Sequence, residues 1–535
     1  MKTVIQKDSA DWLFDGWIVF AAIVFFTGGS FLIQGSLKEW VSLKPWTHRV
    51  GIILIVSTAF MWFYAKQRYL GAKLTHHSFL VSLHAKLKLS DSSWLLILFF
   101  AASTIWTTAS WMRHEAFNSG FDMAIFTQAV WNTAHGSLFY SSIKGGINLL
   151  ADHFSPILAL PALPYKFLPD PKLLLLLQAL SASVCVFPVY WIANKKMPKT
   201  KWPLAFVFAF VLYLPVRNAV RFDFHPEILV MPILFLAYYF LETDKPKWAT
   251  LLMLIALLGR ENVALVTLGM GFYSFIFKRH RRMLGFVWML ISLTYFVGVV
   301  YFVVPSLLKQ DYFYLKGNYL AWMDLGLLAF CRHVFRIETI SYLIKIFFPL
   351  GFLSFLNLPA LVLTLPILFQ NIFARNEMAL SIFHQYTLLL TPFVFISAIE
   401  GTAQFRDRVK PIYLIAAAVL MAGVSDVYIT QKYVEQIPPQ KPIIDELSKE
   451  IPEDASLRTH EHLAPHFANR KHLHIYENNN PVEGGSQEAL NSDYVLLFQN
   501  FLGHDGLNRV DRLRSGGYGV IYEKQGIYLL KRQQT

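Results

Sequence analysis

The feature that most constrains this chain is the length of its apolar runs. Blocks with almost no charge recur from near residue 16 to about 428, as at 172–194 and 283–304. About 20 such residues, wound as a helix, cross the roughly 30 Å of bilayer hydrocarbon. Backbone N–H and C=O groups find no water there, so each block has to satisfy its own as a helix. Of the 535 residues 55% are hydrophobic and 16% charged, whereas a soluble domain carries about a quarter charged residues. The 46 Phe and 14 Trp suit lipid-facing and interfacial positions. The expected fold is an all-α polytopic membrane protein.

Spans are expected near 16–35, 49–65, 92–111, 172–194, 202–216, 226–242, 247–259, 262–277, 283–304, 344–356, 357–373, 386–402 and 411–428, about thirteen in all. Their orientation follows from Lys and Arg, which accumulate in cytoplasmic loops. One group is Lys66, Arg68, Lys73, Lys86 and Lys88; a second is Lys195, Lys196, Lys199 and Lys201. Lys245 and Lys247, then Lys278, Arg279, Arg281 and Arg282, then Arg406, Arg408 and Lys410 follow. Counting through the spans puts all of them on one side. That side is read as cytoplasmic, in the inner (plasma) membrane, with the N-terminus inside and everything after 428 outside. Two segments strain the count. Residues 153–169 are apolar enough to dip into the membrane, but their prolines and short length favour a surface or re-entrant helix. The outer loop 305–343 carries Lys309, Lys316, Arg332 and Arg336.

The net charge of +13 would suggest nucleic acid in a soluble protein. Here the basic residues sit in short loops, where they set topology and meet lipid headgroups, so no nucleic-acid partner is expected. Cys185 and Cys331 lie far apart, one in an apolar span, and predict neither a disulfide nor a metal–thiolate site. The first apolar stretch lacks a small-residue cleavage site and is followed by many more spans, so no cleavable signal peptide is expected. After about 430 the chain turns polar. A helical pattern at PIIDELSKEI and strand patterns at ASLRT, HLHIY, DYVLLF, GVIYE and GIYLL predict a small α/β unit outside the membrane. Gly484-Gly485 and Gly516-Gly517 read as turns.

With this topology the outer loops hold the chain's reactive side chains. The first, about 112–171, opens on Arg113-His114-Glu115 and contains FDMAIFTQAVWNTAHG from Phe121 to Gly136. Asp122 stands at the start of an amphipathic helix there, with Phe121, Ile125, Ala129 and Asn132 on one stripe and Trp131 able to anchor at the interface. The same loop supplies Asp152 and His153. The next outer loops supply Arg217, Arg221, Asp223, His225 and Glu227, then Arg260 and Glu261, then His384 and Tyr386. Each has a bland reading. Asp122 can be a helix-start acid favoured by the dipole, Arg217 and Arg221 can hold lipid phosphates, and Arg260-Glu261 can be a local ion pair. Their recurrence on one face is the stronger signal. A carboxylate can take a proton from an attacking hydroxyl, arginines can hold a phosphate leaving group, and His with carboxylates can bind a hard divalent cation such as Mg or Mn. No Walker loop, zinc-helix motif or nucleophile elbow is present.

At FDMAIFTQAVWNTAHG, DHFSPILALPALPY, RFDFHPE and HQYTLLLTPF the chain resembles an uncharacterised family of bacterial and archaeal multi-spanning proteins, which itself looks like part of the GT-C glycosyltransferase superfamily. The resemblance covers most of 92–535. It implies three regions: an N-terminal two-helix extension (1–91), a GT-C-like transmembrane domain (92–430) and an extracytoplasmic α/β domain (431–535). It implies an enzyme that moves sugar from a polyprenyl-phosphate donor to a glycan, lipid or protein acceptor outside the cytoplasm. Asp122 then occupies the position of the essential acid, the general base. Arg217, Arg221 and Arg260 become candidates for the donor phosphate, and Asp152, His153, Asp223, His225, Glu227, Glu261, His384 and Tyr386 for the cavity wall. Residues 153–169 become a juxtamembrane helix. Many relatives show two adjacent acids in the first loop; here Asp122 stands between Phe121 and Met123. The alternatives are a non-catalytic glycolipid transporter or flippase using the same arginines, and a scaffold whose outer unit recruits partners. Transporters usually show repeats and broken helices at the midplane, and neither is clear in this sequence.

Overall fold

The computed structural model describes residues 90–533, apart from 313, 320–325, 424–425, 477–490 and 503–505. The spans expected at 16–35 and 49–65, and the basic group from Lys66 to Lys88, lie outside the described residues.

Four segments are long and apolar enough to cross a membrane: Asp91–Glu115 (α1), Pro171–Lys196, Arg279–Leu308 and Pro411–Gln436, the last described as two helices, Pro411–Met421 and Asp426–Gln436, on either side of residues 424–425. The starts of the first two are chemically marked. Ser90 accepts the Ser93 N–H at the head of α1, and Asp170 accepts the Lys172 N–H before Pro171, each satisfying a donor the helix leaves over. The count of about thirteen is therefore not matched by helices of full crossing length. The segment expected at 202–216 is a pair, Trp202–Leu212 and Leu214–Arg221, bent by 42° at Tyr213, where Pro215 cannot donate to the preceding turn. The stretch 344–356 is not one helix. Ile337–Phe347 ends there, and Pro349 is followed by Gly351 and Phe352 at φ 58° and 56°, a left-handed step that an α-helix cannot contain. The segments near 247–259, 262–277 and 357–373 form the shorter apolar helices Pro246–Leu257, Val263–Phe277 and Leu358–Phe373. Residues 156–165 are helical over ten residues only. That gives about 15 Å of rise, half the hydrocarbon thickness, so this stretch does not cross.

Large side chains fill the bundle centre, with Trp106, Trp288, Phe206, Phe210 and Phe235 almost wholly buried, while Leu290, Leu293, Val297 and Phe302 face outward. In lipid the tails are as apolar as leucine, so close packing of small residues takes over part of the work of association. Gly285 shows it: a Cβ there would stand 2.6 Å from the Gly271 carbonyl. At one end of the bundle Lys196 pairs with Glu242 and Glu400 at 2.6 Å, and Lys278 pairs with Glu242 at 2.6 Å. These join the basic loops near 196, 243, 278 and 406. The loops with the candidate site gather at the other end.

There the chain carries a five-stranded sheet of order β4-β3-β5-β7-β6, made of Leu457–Thr459 (β3), Leu473–Ile475 (β4), Tyr494–Phe498 (β5), Tyr518–Lys524 (β6) and Ile527–Arg532 (β7). β1 (Tyr140–Ser141) and β2 (Ile147–Asn148) form a separate hairpin. β3 is parallel to both β4 and β5, and β7 is antiparallel to β5 and β6. All five strand patterns expected after 455 are present, as is the helix Lys441–Glu450. Alternate side chains go to opposite faces. Leu496 and Phe498 join the core of the bundle, while Val495 and Leu497 build a small core with Val510, Tyr518 and Leu530.

Candidate active site

The helix Phe121–Ala134 (α2) lies within the outer loop, and its N-terminus is built by carboxylates. Asp223 accepts the N–H of Gly120 at 3.0 Å and of Met123 at 3.2 Å, favourable at a helix start. Asp223 also pairs with Arg113 at 2.6 Å. This fixes Asp122 at the rim of a cavity of about 530 Å³ lined also by Lys144, Asp152, His153, His225 and Arg260, a size usual for small-ligand sites. Of the Asp122 side chain 39% is accessible, and that access is to the cavity.

His225 holds Asp122. Its Nδ1 is 2.9 Å from the Asp223 carbonyl and its Nε2 is 3.3 Å from Asp122 Oδ2. Two acceptors require two N–H donors, which only the imidazolium has. Burial pulls His225 down, but the hydrogen bond and charge of Asp122, with Glu227 and the Asp223 carbonyl, outweigh it and raise its pKa above the ordinary 6.5. Burial likewise pushes Asp122 up, and His225, with Lys144 and Arg260 behind it, brings its carboxyl below the ordinary value. The sign follows from linkage. The raised His225 contributes stability fully present below its unfolded value and lost as pH rises through its folded one. The depressed Asp122 contributes stability present above its unfolded value and lost as pH falls through its folded one. The melting-temperature gap between wild type and His225→Gln should therefore shrink from about pH 6 to about pH 9. A gap independent of pH in detergent melts would remove the ion pair from the account.

A second network lies across the cavity. Glu261 accepts from His153 Nδ1 at 2.9 Å, Phe154 N–H at 2.9 Å and the Tyr312 hydroxyl at 2.6 Å. Burial would raise this carboxyl; His153, Arg260 and Tyr312 hold it well below the carboxylate range. Arg260 donates to His153 Nε2 at 2.6 Å and to Glu227. Asp152 meets Lys144 at 3.3 Å and the Tyr314 hydroxyl at 3.1 Å, and the Tyr314 ring stacks on His153 at 4.5 Å. The cavity is also lined by Leu265, Phe296, Pro366, Phe369 and Phe373 from the membrane helices, with Asn262 and Gln370 among them.

The structure thus brings Asp122, Asp152, His153, His225, Arg260, Glu261 and Tyr386 to one cavity. The rest stand elsewhere. Arg217 and Arg221 turn away from it into a buried cluster with Asp426, the first residue of the helix Asp426–Gln436; Arg217 Nε lies 2.8 Å from that carboxylate. Their place as donor-phosphate ligands is corrected accordingly: the carboxylate that neutralises them comes from more than 200 residues downstream. Asp223 caps α2 instead of lining the wall, Glu227 supports Arg260 from behind, and His384 packs edge-on to Phe222 at 4.9 Å. Lys144, Tyr312 and Tyr314 are additions from the structure. Lys144 had a faint signal, a lone cation before Gly145-Gly146, whose φ of 84° and 76° make the turn that presents it. Among the described residues no three His, Cys, Asp or Glu side chains converge in a way that would hold a metal ion.

Residues 113–529 match the family model described as Predicted membrane protein (DUF2079). The chain belongs to this family. Its backbone is similar to that of ArnT from Cupriavidus metallidurans bound to undecaprenyl phosphate, with TM-score 0.55 at 11% identity over 82% of this chain and 98% of that one. The apo state of the same protein gives 0.53 at 12% identity over the same shares, 82% and 98%. The oligosaccharyltransferase of Archaeoglobus fulgidus is more distant, at TM-score 0.39 and 12% identity over 81% of this chain and 72% of that one. No curated protein matches the sequence. At this identity the likeness to ArnT is one of fold: this member of the family shares the membrane architecture of ArnT and has a small C-terminal sheet.

Proposed function

We propose that the protein is a membrane glycosyltransferase that moves a sugar from a polyprenyl-phosphate donor to an acceptor outside the cytoplasm. The observation that carries this reading is a cavity lined by both charged and apolar side chains. Asp122, Lys144, His153, His225 and Arg260 share its wall with leucine, proline and phenylalanine side chains of the membrane helices. That is the lining an amphiphile with a charged head and an apolar tail requires. The likeness to a protein crystallised with undecaprenyl phosphate supports a lipid-linked donor.

In this reading the acceptor hydroxyl gives its proton to Asp122 as it attacks the anomeric carbon. The bond from that carbon to the phosphate oxygen breaks, and polyprenyl phosphate leaves. Lys144 and Arg260 offset the charge gathering on the departing phosphate. The Mg or Mn ion considered from the sequence does not fit the residues present, because each cavity carboxylate already has a side-chain cation: Asp122 has His225, Asp152 has Lys144, and Glu261 has Arg260. The site end faces the extracytoplasmic side of the inner membrane, the N-terminus lies inside, and the acceptor is a glycan, lipid or protein.

Reconstituted protein given a labelled polyprenyl-phosphate sugar and an acceptor extract tests this. Transfer or release of the sugar supports the enzyme; translocation of intact donor without chemistry would replace it with a flippase. Within that assay Lys144→Ala should raise the donor KM roughly 10- to 100-fold, the range for losing a hydrogen bond to a charged partner. An unchanged KM would take Lys144 away from the phosphate.

A further inference from the structure

The C-terminal sheet contains a crevice of the kind that open α/β sheets use for ligands. β3 sends the chain to β4 on one side, and the chain later returns to place β5 on the other. The carboxyl ends of β3 and β5 therefore flank a topological switch point, the usual binding position of such sheets. His460, Glu461 and His462 follow β3, and Gln499 to Phe501 follow β5.

Here the occupant is the protein's own loop. The Phe121 N–H donates to Glu461 Oε1 at 3.2 Å, and the Ser119 carbonyl lies 3.2 Å from His462 Nδ1. Phe117 is buried with its ring edge-on to His466 at 4.6 Å and to Phe501 at 6.4 Å. It stands at φ 55°, a left-handed conformation in which a bulky side chain is strained and persists only where packing enforces it. Gly120 is as small as the fit demands, since a Cβ there would sit 2.9 Å from Glu461 Oε1. The contact continues beyond the crevice. Gln128 on α2 donates to the Arg470 and Lys471 carbonyls at 3.1 and 3.2 Å, and Ser142, two residues before Lys144, exchanges hydrogen bonds of 2.8 Å with the backbone of Leu473.

We propose that the C-terminal sheet is a receptor for the catalytic loop, with Glu461 as its positioning residue. Two carboxylates from opposite sides, Asp223 of the bundle and Glu461 of the sheet, share the amides of Gly120, Phe121 and Met123 and so set the place of Asp122. Glu461 acts through those amides, and the proposal rests on the glycosyltransfer reading for its kinetic consequence only.

The test uses the full chain in proteoliposomes with Glu461→Ala and Glu461→Gln, since the amide of Gln keeps an oxygen for the Phe121 N–H. Glu461→Ala should lower kcat roughly 10- to 100-fold, the scale of an ångström-sized misplacement, with the donor KM and melting temperature close to wild type. Hydrogen exchange at residues 120–123 should quicken about tenfold through easier local opening, and Gln should restore both. Wild-type kcat and exchange in the Ala variant would overturn the proposal, as would equal losses in Ala and Gln or a loss that follows the melting temperature. If the wild-type chain transfers no sugar, the glycosyltransfer reading fails and exchange alone decides. Faster exchange in Ala but not in Gln then supports the receptor role, and unchanged exchange overturns it.

Discussion

Asp122→Asn should lower sugar transfer by roughly 100- to 10,000-fold, the usual contribution of a positioned general base. The substitution keeps the shape of the side chain and an oxygen facing His225, while removing the charge and most of the basicity. Asp122 is the carboxylate at the cavity rim whose neighbours keep it ionised without engaging it in a buried cluster; its partner is His225 at 3.3 Å. By contrast Glu261 is 4% exposed and takes hydrogen bonds from three directions, so its oxygens are committed to holding the wall. The measurement is the single-turnover rate with saturating donor, beside a melting curve showing that the variant is folded and inserted. Transfer at the wild-type rate would sink the assignment of Asp122 and leave the cavity to a different base or to no chemistry.

The second large effect is on stability. Asp426→Ala leaves Arg217 and Arg221 buried without their carboxylate. Breaking a buried pair from one side costs about 3–5 kcal/mol, because the remaining charge stays out of water. Here two charges are stranded by one change. Asp426→Ala should therefore melt well below wild type, with the transfer activity of the surviving folded fraction little altered. The same measurement tests the corrected role of the arginines. A variant with wild-type melting and a raised donor KM would return Arg217 and Arg221 to the phosphate.

What was legible in the sequence depended on how far a residue's partner lies along the chain. Strands such as DYVLLF were legible because alternation is a local property. Asp122 was legible because a helix start in a polar loop announces itself within a few residues. Arg217 and Arg221 looked available because Asp426 lies beyond several intervening helices, and no local pattern joins them. The break after Phe347 was missed for a related reason: apolar composition registers hydrocarbon, whereas Pro349 and the left-handed pair Gly351-Phe352 decide whether the backbone can continue as a helix. Lys144 was passed over because one lysine in a hairpin is unremarkable until the turn at Gly145-Gly146 aims it at Asp152.

The two faces of the C-terminal sheet have a consequence for how the molecule fails. One face closes on its own small core, and the other is continuous with the interior of the bundle through Leu496, Phe498, Ile527 and Leu529. The change of composition near 430 is thus a boundary in solvent preference and not in cooperativity. The sheet cannot lose its fold without uncovering the segment that carries Asp122, and that segment cannot open without stripping apolar cover from the sheet. Damage far out in the polar tail, at a residue that never approaches the cavity, is transmitted to the segment carrying Asp122 as a change in how often the whole outer end of the molecule is assembled.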